Sequence, residues 1–414
     1  GRRRREWPMP GACGDVRPNV GFPPVEWFKE RPLVVLSWIK WLDCNGFDLK
    51  ETQECETKCV FMHIPDAAPS AECLDQADAL MLTASQTPPK TAFKPPGQVW
   101  LYYSLESGAW YPEMDSPEFM RPFDVEVSVR AAANVRVSFA PRHPEVVRRP
   151  LTEPKTREAL YLQGNCVEWR DEAVATLMQH VQVDSLGKCL KNGEYPSGVG
   201  TVEVMARYKF LIAFENSRYP AFVTERVYNA WVAGAIPVYV GAPDAADFAP
   251  HPKAFIFASD FEDMAALGAY LNYLSNNATA RAEHLQFKHP SEHMPGRPAA
   301  PFSEGFLAAS NISLYAAGGE AGSAVPFPAT EMRDYKDPKM EGLNDPLCQG
   351  AADELGIPVL DPRSRCFKAH AVRAADHHRH NKLSACRVCR AVQEAIHARE
   401  AARPDGVTVE VQPN

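Results

Sequence analysis

The chain has 414 residues, 45% hydrophobic, and 44 basic against 52 acidic side chains give a net charge of −8. That content builds ordinary cores, and the length suits two domains and a tail. It argues against a nucleic-acid binder, because the only basic run, Arg2 to Arg5, reads as a solvated terminal patch.

Residues 1–30, rich in Pro, Gly and Arg, read as a tether or stem. Leu33 to Ile39 is a short apolar run that suits a buried strand. Gln98 to Ser104 reads as another strand, and Phe123 to Arg130 alternates with period two. Residues 31–145 are therefore expected to form one α/β domain. Arg142 to Pro154 carries three prolines and reads as a linker.

A second domain is expected over residues 150–290. Strands are expected at Leu160 to Gln163, Val181 to Val183, Phe210 to Phe214, Ile236 to Val240 and Phe255 to Phe257. Helices are expected at Trp169 to His180, Thr224 to Val232 and Asp263 to Leu274. Thr224 stands at an N-cap, and Gly234 lies just past a helix end. Such alternation implies a parallel sheet with right-handed crossovers, which binds ligands at the carboxyl ends of its strands. Residues 291–414 read as an irregular C-terminal extension, ending in a His- and Cys-bearing segment and one helix.

No stretch approaches the roughly 18 apolar residues that cross a bilayer. The longest candidate, Ala230 to Ala242, is interrupted by Pro237. No secretory leader is visible. Because the chain begins at Gly1, we expect a fragment that lacks an N-terminal anchor. Eleven cysteines and two N-glycosylation acceptors, Asn277-Ala278-Thr279 and Asn311-Ile312-Ser313, point to the secretory pathway, where disulfides persist. Cys386 and Cys389 could pair in disulfides or, with His377, His378 or His380, hold zinc. The irregular His spacing favours disulfides.

Several common motifs are missing. There is no G-x-G-x-x-G, Walker loop, G-x-S-x-G or H-E-x-x-H. There is also no Asp-x-Asp pair to hold a metal on a diphosphate. A leaving phosphate would then be met by cationic side chains and backbone amides.

The richest segment is Tyr208 to Phe248. A strand delivers Glu215 and Asn216 at its carboxyl end, and a helix opens with Thr224-Glu225-Arg226. A helix N-terminus with free N–H groups suits a diphosphate, Arg226 adds a bidentate cation, and Glu225 could bond sugar hydroxyls. The alternative is a capped helix with a solvent-facing ion pair.

This segment resembles the donor-binding region of the α1,3/α1,4-fucosyltransferases, glycosyltransferase family 10. The runs YKF-x-x-x-FEN, V-T-E and A-G-x-x-P-V-x-x-G-x-P-x-x-x-D-F-A-P follow in order. Gly164-Asn165-Cys166, Arg170 and Asp184 to Cys189 resemble a second family pattern, and Ser104 to Ser107 a third. The closest likeness in feel is to plant-type core enzymes, which carry a C-R-x-C after the catalytic region. Two departures stand out: Phe222 replaces a tyrosine, removing a hydroxyl contact, and Arg226 replaces a lysine.

The resemblance implies two Rossmann-like domains facing a cleft, in the GT-B manner. It implies an inverting transfer of L-fucose from GDP-β-L-fucose to a GlcNAc hydroxyl of a glycan, on an N-glycan or glycoprotein. Glu106 would be the general base, with Glu113 as its fallback. Arg170, Lys209, Asn216, Thr224, Glu225 and Arg226 would bind the donor. No cofactor or structural metal is implied, and a divalent metal would be at most stimulatory. The alternatives are a Lewis-type enzyme acting on N-acetyllactosamine, or an inactive relative that binds GDP-fucose or glycan. The expected setting is the Golgi lumen, as a type II membrane glycoprotein whose anchor is absent from this chain. No nucleic-acid partner is expected.

Overall fold

The computed structural model describes residues 97–141, 143–151, 153–290, 298–315 and 382–401, with 17–18, 33–37, 56–57, 59–63, 77–83 and 94 before them. Cys13, Cys44, Cys55, Cys73, Cys348 and Cys366 lie outside the described residues, as do the histidines 370, 377, 378 and 380.

The first sheet contains β1 (Arg17–Pro18), β2 (Leu33–Ser37), β3 (Cys59–His63), β4 (Ala79–Thr83), β5 (Val99–Ser104), β6 (Val125–Ser128) and β7 (Val135–Arg136). Their order is β1-β3-β2-β4-β5-β6-β7. All neighbours are parallel except β1 and β3. Every residue of β4 and β5 is buried, as strands covered on both faces must be. Only three of these strands stand out as strand-like runs in the sequence; β3 and β4 are short and flanked by polar sequence. β1 also places part of the expected tether at the sheet edge.

The second sheet contains β9 (Arg157–Tyr161), β10 (Val183–Ser185), β11 (Tyr208–Phe214), β12 (Ile236–Val240) and β13 (Ile256–Phe257), following β8 (Ser138–Pro141) in the chain. Its order is β10-β9-β11-β12-β13, all parallel. The order reverses between β9 and β11, so the ligand crevice of such a sheet opens outside their carboxyl ends. Helices α1 (Glu168–Leu177), α2 (Thr201–Met205), α3 (Glu225–Ala233) and α4 (Met264–Asn276) alternate with these strands. Trp231 of α3 is fully buried, edge-on to Phe255 at 4.9 Å. Truncating such a residue costs about 3–5 kcal/mol. α3 ends at Gly234 in the left-handed region (φ +70°), where a β-carbon would also lie 2.1 Å from Leu151 Cδ2.

The linker expected at residues 142–154 is packed rather than free. Val147 is fully buried, and the buried Lys288 ammonium donates to the carbonyls of Val147 (2.9 Å), Arg149 (3.0 Å) and Val232 (3.1 Å). These bonds tie the segment to the C-terminal end of α3.

The extension after residue 290 is not wholly irregular. α5 (Glu304–Asn311) buries Phe306 in the second core, and β14 (Ser313–Tyr315) pairs with β8. α6 (Lys382–Ala401) returns to the first domain, where Val388, Cys389 and Val392 join the core under β5 and β6. Cys389 is bonded to Cys59 of β3, 330 residues earlier in the chain, and Cys386 is also in a disulfide. Disulfides, not zinc, therefore use this C-x-x-C pair. A third, Cys166–Cys189, braces the loops after β9 and β10.

Candidate active site

The site forms where the carboxyl-end loops of the two sheets meet. On the second sheet, Glu215 N donates to Val240 O at 2.7 Å and extends the β11–β12 ladder by one residue. The Glu215 side chain then turns inward and is fully buried. It accepts from Thr224 N (2.9 Å), from the Thr224 hydroxyl (3.0 Å from each oxygen) and from Arg226. Burial raises its carboxyl pKa, against the pull of Arg226 and the Thr224 donors. Gly241 leaves room for it, since a β-carbon there would lie 2.6 Å from Glu215 Cγ.

Thr224 occupies the N-cap of α3 as expected, but its hydroxyl serves Glu215. The first-turn amides of α3 consequently carry no side-chain cap. The loop before the helix is held by Asp244, whose oxygens accept from Ala221 N at 2.8 and 3.1 Å. Ala221 lies at φ +61°, a strained position for a residue with a β-carbon.

Arg170, on the first turn of α1, lies at the point where the strand order reverses. Its guanidinium is buried and bridges the two strand ends, donating to Phe214 O at 3.3 Å and to Asn165 O. Its Nε has no hydrogen-bond partner among the described residues. Burial lowers the Arg170 pKa, and the charge of Arg226 adds to the fall, so the two cations share one neighbourhood.

The first sheet contributes the loop after β5. Glu106 is half-buried, and its Oε2 accepts from Asn216 Nδ2 at 3.1 Å. Ser107 and Ser217 share a hydrogen bond of 2.5 Å, and Ser217 Oγ donates to Asn216 Oδ1 at 3.0 Å. Tyr219 donates to Asp115 at 3.0 Å, and Arg130 pairs with Asp115 at 3.1 Å.

Glu106, Asn216, Thr224 and Arg226 are thus brought together, with Arg170 beside them. Glu225, partly exposed on the first turn of α3, has no hydrogen bond to protein among the described residues. Lys209 is placed elsewhere. It lies near the amino end of β11, paired with Glu158 at 2.6 Å and with Ser275 O at 3.3 Å. Five residues of strand, about 16 Å, separate it from Phe214, so its expected donor contact is not assembled here. Glu113 sits in a short turn near Tyr111, whose hydroxyl pKa is raised by burial and then by Glu106 and Glu113.

Phe222, at the position of the family's tyrosine, buries its ring in the first-sheet core, edge-on to Phe139 at 6.5 Å. Sequence reasoning also missed the structural roles of Glu215, Ser107, Ser217 and Asp244. The signal for Glu215 was its place nine residues before Thr224, but only folding turns it inward.

The chain is similar to known proteins over this region. Residues 152–297 match the family model described as glycosyltransferase family 10 (fucosyltransferase), C-terminal. A fucosyltransferase-like protein of Arabidopsis thaliana is 32% identical over 200 residues, 47% of this chain and 38% of the relative. Alpha-(1,3)-fucosyltransferase B of Drosophila melanogaster is 28% identical over 217 residues, 46% of this chain and 49% of the relative. The chain thus spans less than half the length of these two relatives. A crystal structure of an alpha1,3-fucosyltransferase with GDP-fucose aligns at a TM-score of 0.45 and 17% identity, over 69% of this chain and 90% of that one. The likeness to glycosyltransferase family 10, the fucosyltransferases, thus covers residues 152–297 and the crevice that the family's runs form there.

Proposed function

We propose that the chain is an inverting α1,3-fucosyltransferase that moves L-fucose from GDP-β-L-fucose to a GlcNAc hydroxyl, with the inner GlcNAc of an N-glycan as acceptor. The observation that carries this reading is the 3.1 Å contact between Glu106 and Asn216, which puts a carboxylate from one sheet beside the donor crevice of the other. The two-sheet arrangement fits a GT-B transferase. The acceptor oxygen attacks the anomeric carbon as its bond to the β-phosphate oxygen breaks. The hydroxyl proton passes to Glu106, and GDP leaves. One displacement turns the β-linked donor into an α-linked product.

The uncapped N-terminus of α3 and the Arg226 guanidinium meet the charge that develops on the leaving diphosphate. An unpartnered buried donor costs about 1–3 kcal/mol, and a phosphate oxygen reaching Arg170 Nε would relieve it. Glu225 is placed to accept from sugar hydroxyls. These cations take the role that a metal plays in other nucleotide-sugar transferases.

The disulfides Cys59–Cys389 and Cys166–Cys189 support an oxidising compartment, and with it the proposed Golgi lumen. Among the described residues no helix is long and apolar enough to cross a membrane.

The test is incubation with GDP-fucose, EDTA and defined glycans, followed by mass spectrometry. Gain of one fucose on an N-glycan core supports the full proposal. Gain only on N-acetyllactosamine moves the acceptor. GDP-fucose binding with no transfer to any glycan overturns the enzyme reading, and activity abolished by EDTA overturns the cation-based mechanism.

A further inference from the structure

We infer that Trp110 and Trp169 flank the Glu106–Asn216 contact as a stacking subsite for a pyranose ring of the acceptor, an inference that rests on the transferase reading above. Among the described residues the exposed large hydrophobics are Trp110 (42%), Trp169 (36%), Tyr273 (52%) and Leu307 (39%). Tyr273 and Leu307 lie on α4 and α5, outside the loops that build the site. Trp110 lies in the loop after β5, and Trp169 stands on the first turn of α1, next to Arg170.

A chain of contacts runs from the Trp110 main chain, past the Glu106–Asn216 pair, to the Trp169 ring. Trp110 N donates to Ser107 O at 3.0 Å and to Ser107 Oγ at 3.2 Å. Ser107 Oγ meets Ser217 Oγ at 2.5 Å. The next residue, Arg218, sets its guanidinium 5.7 Å from the Trp169 ring centroid. Glu106 and Asn216 immediately precede the two serines. The turn bearing Trp110 is pressed against the other domain, since a β-carbon on Gly108 would lie 2.7 Å from the Tyr219 hydroxyl.

An exposed indole offers a flat apolar face with a polar edge. The C–H face of a pyranose is its complement, while the sugar hydroxyls remain free for Arg218 and water. The donor diphosphate is already accommodated at α3 and Arg170. Trp110 instead sits on the loop that carries Glu106, the side from which the acceptor hydroxyl must arrive. A guanine ring could also stack on an indole, and the test separates the two ligands.

The experiment is saturation-transfer NMR on the full chain with GDP bound, titrating chitobiose and N-acetyllactosamine against wild type, Trp110→Ala, Trp169→Ala and Trp110→Phe. GDP affinity is measured separately by calorimetry. We expect saturable binding of at least one saccharide to wild type, a loss of tenfold or more in each alanine variant, and recovery to within threefold in Trp110→Phe. GDP affinity should stay within twofold throughout. Saccharide binding unchanged in the alanine variants overturns the inference, as does no saturable saccharide binding to wild type. A parallel loss of GDP affinity overturns it in favour of a nucleotide platform. Failure of wild type to transfer fucose while both saccharides still bind through the indoles would sink the transferase reading and leave the subsite standing.

Discussion

Asn216 Nδ2 donates to Glu106 Oε2 at 3.1 Å, although 110 residues separate the two in sequence. The amide comes from the second sheet and the carboxylate from the first. One hydrogen bond therefore fixes the orientation of a reactive group across the boundary between two folding units. Ser107 and Ser217 repeat the link one residue further on.

If Glu106 takes the acceptor proton, Glu106→Gln should lower kcat by about 10²–10⁴-fold and leave GDP affinity within twofold. Asn216→Ala removes the donor that orients the Glu106 carboxylate and should lower kcat by about tenfold, a loss of roughly 1.4 kcal/mol. Steady-state kinetics on the two variants and wild type check both outcomes. Full turnover by Glu106→Gln would remove this residue from the mechanism.

Glu215 and Arg226 form a pair in which the carboxylate is wholly buried and the guanidinium is 21% exposed. Removing one partner of a buried pair costs about 3–5 kcal/mol, and the exposure of Arg226 puts Glu215→Ala toward the lower end. We expect its melting temperature to fall and its GDP affinity to drop, because Thr224 and Arg226 lose a common anchor. Arg226→Lys should keep more than a tenth of wild-type donor affinity, whereas Arg226→Ala should keep less than a hundredth. Calorimetric titration with GDP reads both.

Lys155 Nζ donates to Ala206 O and Ala233 O, 2.7 Å each, and burial, with Arg281 adding to it, lowers its pKa to about 7. In the unfolded chain the same amine titrates near about 10.4. Between those values the unfolded state binds the additional proton, so stability should rise with pH across that window. Below pH 7 both states are protonated and this contribution is flat. Urea midpoints at pH 7, 8 and 9 should climb for wild type, and Lys155→Met should flatten the climb while lowering every midpoint.

The Cys59–Cys389 bond holds α6 on the first sheet, together with contacts from Arg387 to Arg136 O (2.6 Å) and from Arg399 to Gln98 O (2.7 Å). Loss of a native disulfide costs about 2–5 kcal/mol. Cys389→Ser should lower the unfolding midpoint accordingly and raise amide exchange first in β5 to β7, whose core α6 covers. Uniform exchange across both sheets would mean that the helix does not cap the first domain.

The sequence by itself determined the second sheet. Its strands and helices follow one another at short range, with strong hydrophobic periodicity and clear caps at Thr224 and Gly234. Ile236 to Val240 is a strand at the boundaries read from its apolar run. Glu106, Asn216, Thr224 and Arg226, which the resemblance singled out, each sit at or just past the end of an element readable from the sequence. Tertiary structure decided what depends on distant partners. It packed Phe222 into the first core, turned Glu215 inward to gather Thr224 and Arg226, and left Lys209 at the far end of its strand with Glu158. It also returned α6 to β3 across 330 residues. Local periodicity carries no information about such pairings, since they are set by which surfaces remain to be buried once each sheet has formed.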